Sequence, residues 1–401
     1  MKVTVTSDTR FARSPDGCVW TSSLYSYSFF LRYLDVFDHV EVVARIQNVG
    51  SVPSSWKRAD GKGVMFVAVP YFVGPWEYLR QVALIQDRIK QVAHSAEAVI
   101  LRAPSVMSTS LARVCRRFAG RYAAEILGDP WDVFAPGTLA HPLRPLFRRL
   151  FTHHLKVLCA NSYATAYVTS QTLQHRYPPN SESFTLSCSD VELDDTAFVT
   201  APRSISGKPR TITIASVGSM AQLYKAHDIL IDAFATCVQQ GLDLNLCIIG
   251  DGQYRPQLES QATRRGLNGR ICFVGEIPAG KPVRDHLDRA DLFVLPSRTE
   301  GLPRAMIEAM ARGLPCIGST AGGIPELLAP EDLVRPGSVE ALAKLLYAVV
   351  TDRERMARMA QRNLDRAHQY HERLLQPRRV QFYSFVKEHG ATTASSRRHR
   401  A

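Results

Sequence analysis

Strand-like and helix-like segments alternate along this chain, fade out near its middle, and start again. The first series holds the apolar or alternating runs KVTVTSD from Lys2, HVEVVARI from His39, GVMFVAVP from Gly63, AVILRAP from Ala98, RYAAEIL from Arg121 and KVLCAN from Lys156. Helical stretches such as Trp76 to Ala93 fall between most of them. The pattern weakens in VELDDTAFVTAPRSISGK, Val191 to Lys208, which is polar and rich in turn formers. It resumes with TITIASVG (Thr211 to Gly218), a helix from Ala226, LNLCIIG (Leu244 to Gly250), RICFVG (Arg270 to Gly275), DLFVLPS (Asp291 to Ser297) and LPCIGS (Leu314 to Ser319). Strands alternating with helices predict parallel sheets built from βαβ units. A polar break between two such series predicts a domain linker. The expectation is an α/β chain of two Rossmann-like domains facing a central cleft, where ligands bind at the carboxyl ends of the strands.

The boundaries expected are 1–195 for the first domain and 209–370 for the second. A helix over 371–390 is expected to return to the first domain, and 391–401 to form a frayed, basic tail. A length of 401 residues, 45% of them hydrophobic, suits two cores better than one. No apolar run reaches the roughly 18 residues of a membrane helix, and the N-terminus opens into a strand pattern without a signal-peptide core. A cytoplasmic protein is expected.

The eight cysteines are scattered, with no C-x-x-C pair, and several lie inside apolar strand runs. Buried free thiols are expected rather than zinc ligands or disulfides. The histidines show no ligand spacing, and no Asp-x-Asp motif is present. No metal and no cofactor are expected.

A formal charge of +12 suits anionic partners, or nothing in particular. It is dispersed rather than gathered in basic blocks among aromatics, which argues against nucleic acid. One run stands apart: RPLFRRLFTHHLK, Arg144 to Lys156. It reads either as a helix lying on an anionic membrane surface or as a core-facing helix with a solvated basic face. The second reading is slightly favoured.

The chemistry concentrates in SRTEGLPRAMIEAMARG, Ser297 to Gly313. Pro303 sits where a first helical turn tolerates proline, Gly313 suits the residue after the helix, and Pro315 prevents continuation. A strand end, a short loop and a helix N-terminus therefore follow one another, and such a terminus suits an anion or a sugar hydroxyl. Glu300 lies in the loop and Glu308 about one and a half turns into the helix, so the two carboxylates can reach different hydroxyls of one long ligand. A similar turn follows the next strand, STAGGIPELL, where Gly322 and Gly323 permit close backbone approach and Pro325 opens a turn.

These residues resemble the donor site of retaining glycosyltransferase family 4, whose fold is GT-B. The matching positions are Glu300 and Glu308, then Gly323, Ile324, Pro325 and Glu326. Upstream, SVGSMAQLYKAHDILIDAFA places Gly218, Ser219 and Lys225 where the family has a strand end, Gly-Arg, and a lysine opening a helix. Gly250, Asp251 and Gly252 match its G-x-G turn, and Phe273, Val274 and Gly275 its F-x-G strand end. The resemblance is close from Thr211 to Val350 and only in outline before it.

It implies a nucleoside-diphosphate sugar as donor substrate, with Glu300 on the transferred sugar and Glu308 on the ribose. The amides of Gly301 and Leu302, beside Pro303, would also hold the sugar, and Lys225 would neutralise the diphosphate. It further implies a carbohydrate acceptor, for many relatives a lipid-linked oligosaccharide in bacterial exopolysaccharide, capsule or lipopolysaccharide synthesis. That places the chain on the inner face of the cell membrane. Ser219 departs from the family's arginine, so a second phosphate cation must come from elsewhere or be missing. In the first domain, the loop after the first strand nominates Asp16 and Gly17 as a cover for phosphate and acceptor. The end of EILGDPWD nominates Gly128, Asp129 and Trp131 on the acceptor side. The other readings are a non-catalytic sugar-nucleotide-binding subunit and another GT-B enzyme such as a nucleotide-sugar epimerase.

Overall fold

The structure is a computed structural model and describes residues 1–118, 120–139, 141–203 and 211–390. The tail expected over 391–401 lies outside these residues, as does the 204–210 part of the linker.

Two parallel sheets divide the chain. The first is built from β1 (Lys2–Arg13), β2 (Val19–Thr21), α1 (Tyr27–Leu34), β3 (His39–Asn48), β4 (Lys57–Arg58), β5 (Val64–Val69), α2 (Gly74–Ser95), β6 (Ala98–Ala103), α3 (Val106–Arg117), β7 (Ala123–Ile126), α4 (Pro130–Val133), α5 (Arg144–Ala160), β8 (Ala164–Tyr167), α6 (Thr172–Arg176) and β9 (Phe184–Ser187). The second follows with β10 (Ile212–Val217), α7 (His227–Gln239), β11 (Leu244–Ile249), α8 (Arg255–Arg264), β12 (Ile271–Gly275), α9 (Lys281–Leu287), β13 (Leu292–Leu295), α10 (Arg304–Ala311), β14 (Cys316–Ser319), β15 (Leu333–Val334), α11 (Val339–Val350), α12 (Arg353–Ala367) and α13 (Glu372–Gly390).

The second sheet runs β12-β11-β10-β13-β14-β15, all parallel. The chain steps outward from β10 to β12, then restarts on the other side of β10 with β13. The strand order thus reverses between β10 and β13, which opens a crevice beyond their carboxyl ends. Gly218 and the Ser297 loop border it. In the first sheet β1 separates β3 and β5 from β6 through β9 in the same manner. The whole is α/β and GT-B in arrangement. An apolar cluster runs across the domain boundary through Leu302, Met306 and Ile307 on one side and Leu193, Ala197 and Leu375 on the other.

α13 packs on the first sheet: Phe382, Tyr383 and Val386 are buried with Val3, Ile100 and Ala123. Tyr383 donates to the buried Glu125 carboxylate at 3.1 Å, and Lys387 Nζ donates to the Val36 carbonyl at 2.6 Å.

Three local expectations are corrected. KVLCAN is not a strand. Leu155, Leu158 and Cys159 continue the buried stripe of α5 begun at Thr152, a spacing of three and four that belongs to a helix; the strand comes later, at Ala164. Cys272 is exposed rather than buried, because β12 is an edge strand. The segment after the first strand is not a βα loop: β1 continues to Arg13 past an irregularity between Thr6 and Arg10, then turns back as an antiparallel hairpin into β2.

Candidate functional site

Glycines set the backbone at the mouth of the second sheet. A Cβ on Gly250 (φ +137°) would stand 2.1 Å from the Gly218 carbonyl oxygen, and one on Gly252 2.2 Å from the Met220 carbonyl carbon. The loops after β10 and β11 are thereby stacked more tightly than any side chain would allow. Gly250, expected to face a ligand, has this packing role.

Gly218 in turn leaves room for Lys225, whose Cγ would be 2.6 Å from a Cβ there. The aliphatic stem of Lys225 lies across Gly218 and carries Nζ to Glu300, 2.6 Å from Oε1. Ser297 donates to the same oxygen at 2.7 Å. The Glu300 side chain is 8% exposed, and Oε2 has no partner among the described residues.

The turn bearing Lys225 is fixed by a residue that sequence reasoning passed over. Arg298 forms a bidentate pair with Asp228, at 2.7 and 2.6 Å, and donates to the Leu223 carbonyl at 2.8 Å. Its own amide donates to the Tyr224 carbonyl at 2.7 Å. A planar fork satisfied on both arms positions two loops at once. The signal was present: an Arg two residues before Glu300 and an Asp three after Lys225. Ala226 supplies the chain reversal before α7 at φ +55°, an uncommon conformation for a residue with a Cβ. Ser219 is exposed, and its hydroxyl accepts from the Ala221 amide at 3.1 Å.

α10 begins after Pro303, with Arg304 in its first turn. Glu308 is largely enclosed; burial raises its pKa, while Arg304 and Arg284 oppose the rise. Neither the Glu308 nor the Arg304 side chain has a hydrogen-bond or ion-pair partner among the described residues. Burial works to raise the pKa of Asp190, but Arg102, Arg32 and, more weakly, Arg304 hold it well below the usual carboxylate range. The Arg304 charge is therefore felt on both sides of the cleft. Val274 is partly buried and precedes Gly275, which ends β12 at φ +88°.

The loops of the second domain touch the first at Gly301, where a Cβ would stand 2.0 Å from the Leu127 carbonyl oxygen. Gly323 donates to the Gly301 carbonyl at 2.7 Å. Glu326 reaches out of its own loop: its carboxylate accepts from the amides of Ser170, Gln171 and Thr172 at 2.6, 3.1 and 2.7 Å. It thus caps α6 from the other domain and ties the two together.

The first-domain candidates are less uniform. Asp129 is 1% exposed. It caps α4 through the Trp131 amide at 2.8 Å, and it holds Arg176 and the Tyr177 hydroxyl. Both oxygens are engaged, so Asp129 is an anchor of the β7 end and not an open acceptor contact. Gly128 lies beside Pro104. Trp131 is 38% exposed, with Arg148 stacked 3.7 Å above its ring. Asp16 and Gly17 form the exposed turn of the β1–β2 hairpin, where Asp16 accepts from Ser14 at 2.5 Å. No hydrogen bond among the described residues joins that turn to the second domain. No group of three or more His, Cys, Asp or Glu among them could hold a metal ion.

Comparison with known proteins agrees with this geometry. Residues 201–366 match the family described as Glycosyl transferases group 1. Protein CapJ of Staphylococcus aureus is 25% identical over 335 residues, 82% of each chain. The amylovoran biosynthesis glycosyltransferase AmsK of Erwinia amylovora is 36% identical over 149 residues, 34% of this chain and 35% of its own. Among solved structures, Anabaena HepE in complex with UDP-glucose superposes with a TM-score of 0.64 at 17% identity, covering 97% of this chain and 98% of its own. Residues 201–366 thus match the glycosyl transferases group 1 family, within a chain whose fold is GT-B.

Proposed function

We propose that this protein is a retaining glycosyltransferase that moves a hexose from a nucleoside-diphosphate sugar onto a carbohydrate acceptor carried on a lipid, in bacterial polysaccharide assembly. The observation that carries the reading is the Lys225–Glu300 pair at the strand-order reversal, one loop before the α10 N-terminus. The donor class is supported by the UDP-glucose of HepE, and the pathway by the name of AmsK.

Breaking a glycosyl–phosphate bond builds negative charge on the leaving phosphate. A fixed cation there lowers the barrier more than it tightens donor binding. Lys225 is already turned toward the cleft by Gly218, and a phosphate entering beside it would share or replace its contact with Glu300. Glu300 would then direct both oxygens to sugar hydroxyls, with Ser297 keeping its orientation. Glu308, enclosed and unpartnered, is suited to the paired hydroxyls of a ribose. Arg304 fills the need left by Ser219: its guanidinium has no hydrogen-bond or ion-pair partner among the described residues, and it lies next to the helix N-terminus that attracts the diphosphate. With two side-chain cations assigned to the leaving group, the reaction proceeds without a metal.

The test is release of nucleoside diphosphate from UDP-, GDP- and ADP-sugars, with NMR assignment of the product anomer. The reading requires turnover with one donor, an unchanged anomeric configuration, and full activity in EDTA. Absence of release from every donor would overturn it, and inversion would overturn the retaining assignment. Activity lost in EDTA and restored by Mg²⁺ or Mn²⁺ would overturn metal independence.

A further inference from the structure

On the outer side of the first domain, α3 and α5 lie side by side with a groove of about 260 Å³ between them, floored by Ala112, Val157 and Leu158. Arg113 and Arg116 line it from α3, His153 and His154 from α5. No acidic residue occurs between Glu97 and Glu125, or between Asp132 and Glu182, so neither helix carries a carboxylate. The pairing is not one that stabilises helices. α5 opens with Arg144 and has no acid in its first turn, which sets like charge against the helix dipole. A solvated helix face ordinarily mixes both signs; this one does not.

Two further features separate it from a plain basic surface. The exposed stripe of α5 that carries Arg149, His153 and Lys156 also carries Leu146 and Leu150, 57% and 41% exposed. Single exposed leucines need no explanation, but these are one turn apart on the charged stripe. His154 accepts from Arg113 through Nε2 at 2.6 Å, while its Nδ1 is buried with no partner among the described residues. A polar atom in a groove of arginines is thus left without its hydrogen bond.

The geometry points to this α3–α5 face as the surface by which the protein lies on an anionic phospholipid bilayer, with a headgroup phosphate in the Arg113–Arg116–His153 groove and Leu146 and Leu150 at the acyl boundary. Basic residues beside apolar ones are the chemistry of interfacial helices, and the missing carboxylates remove the repulsion that an anionic surface would meet.

The face also reaches the cleft. Arg148 of α5 stacks on Trp131 at the end of β7. In the connection between α4 and α5, the Cβ position of Gly137 is 3.7 Å from Nε of Arg298, the residue that fixes the Lys225 turn. A lipid-carried acceptor could therefore enter along the bilayer plane. This delivery role rests on the proposed glycosyl transfer; the docking itself does not.

The experiment is flotation of the full chain with vesicles of phosphatidylcholine alone and with vesicles containing phosphatidylglycerol. Wild type should float only with the second, and salt should release it. Arg113→Glu with Arg116→Glu changes the charge by four units and should lower partitioning by roughly several hundredfold, at roughly fivefold per unit of charge near the surface. Leu146→Ser with Leu150→Ser should lower it by about tenfold. Arg113→Lys with Arg116→Lys should retain it. All variants should keep wild-type thermal stability and donor hydrolysis. Failure of wild type to bind phosphatidylglycerol vesicles overturns the proposal, as does equal binding by the charge-reversed variant. Saturable binding of inorganic phosphate without vesicle binding also overturns it. Vesicle binding by a protein that turns over no sugar donor would instead refute the glycosyl-transfer reading and leave docking in place.

Discussion

The carboxyl ends of β7 and β13 meet across the cleft, where Gly301 packs on the Leu127 carbonyl, yet they are finished in opposite ways. At the β7 end, Asp129 is closed off: cap, arginine and tyrosine take both of its oxygens. At the β13 end, among the described residues, Glu300 has one oxygen committed and one open, and neither the enclosed Glu308 carboxylate nor the Arg304 guanidinium has a hydrogen-bond or ion-pair partner. A buried polar group normally finds its hydrogen bonds inside the fold. Where several are left wanting in one crevice, the missing partner belongs to a ligand. On the proposed reading, the second domain would hold the donor and the first would supply a rigid wall.

Four substitutions put this contrast at risk. Asp129→Ala should cost roughly 2–4 kcal/mol of stability, below the figure for a wholly buried pair because Arg176 is partly exposed. Denaturant unfolding checks it. A variant of normal stability with a raised acceptor KM would restore Asp129 as an acceptor contact and dissolve the contrast. Glu300→Gln should leave thermal stability unchanged and cut turnover on the order of 10²-fold, since it removes contacts that tighten at the transition state. Normal turnover would remove Glu300 from the site.

Lys225→Ala should weaken binding of the nucleoside diphosphate by roughly 1.5–3 kcal/mol, as expected for a lost charge-assisted contact, and the monophosphate less. Calorimetry on both ligands decides it: if the diphosphate binds as tightly as to wild type, another residue carries the phosphate charge. Arg304→Gln should have the smallest effect, about 1 kcal/mol on the same diphosphate. No change would mean that the place of the arginine absent at Ser219 stays unfilled.

The alternation of strand and helix made the α/β architecture legible, because parallel sheets demand crossovers and crossovers leave a period. It failed at KVLCAN, where an apolar run too short to show its own period was claimed by the helix before it. It failed again at the β1–β2 hairpin, since nothing in SDTRFARSPDG distinguishes a long strand from a loop after a short one. In the site, Glu300, Glu308 and Lys225 stood out because glycine, proline and spacing surround them. Arg298 did not, since its partner Asp228 is distant in sequence and only the fold makes them neighbours. Asp129 misled for the opposite reason: its position at a strand end was right, but its bonds to Arg176 and Tyr177 come from a segment whose folding the sequence gives no sign of. Glu326 was read with the loop that contains it, although its carboxylate reaches across to the other domain.

The placement of α13 has a consequence for how the protein comes into being. Val3, near the start of the chain, shares its core with Phe382 and Val386, near the end. During synthesis the first domain cannot close over its sheet when its own strands have emerged. At about 5–20 residues per second, it waits on the order of tens of seconds for the second domain and α13 to be made. For that interval the sheet face that α13 will cover is bare. Chaperone capture of nascent chains should therefore persist until α13 has emerged, and a chain cut between the domains should yield a second half that folds and a first half that aggregates.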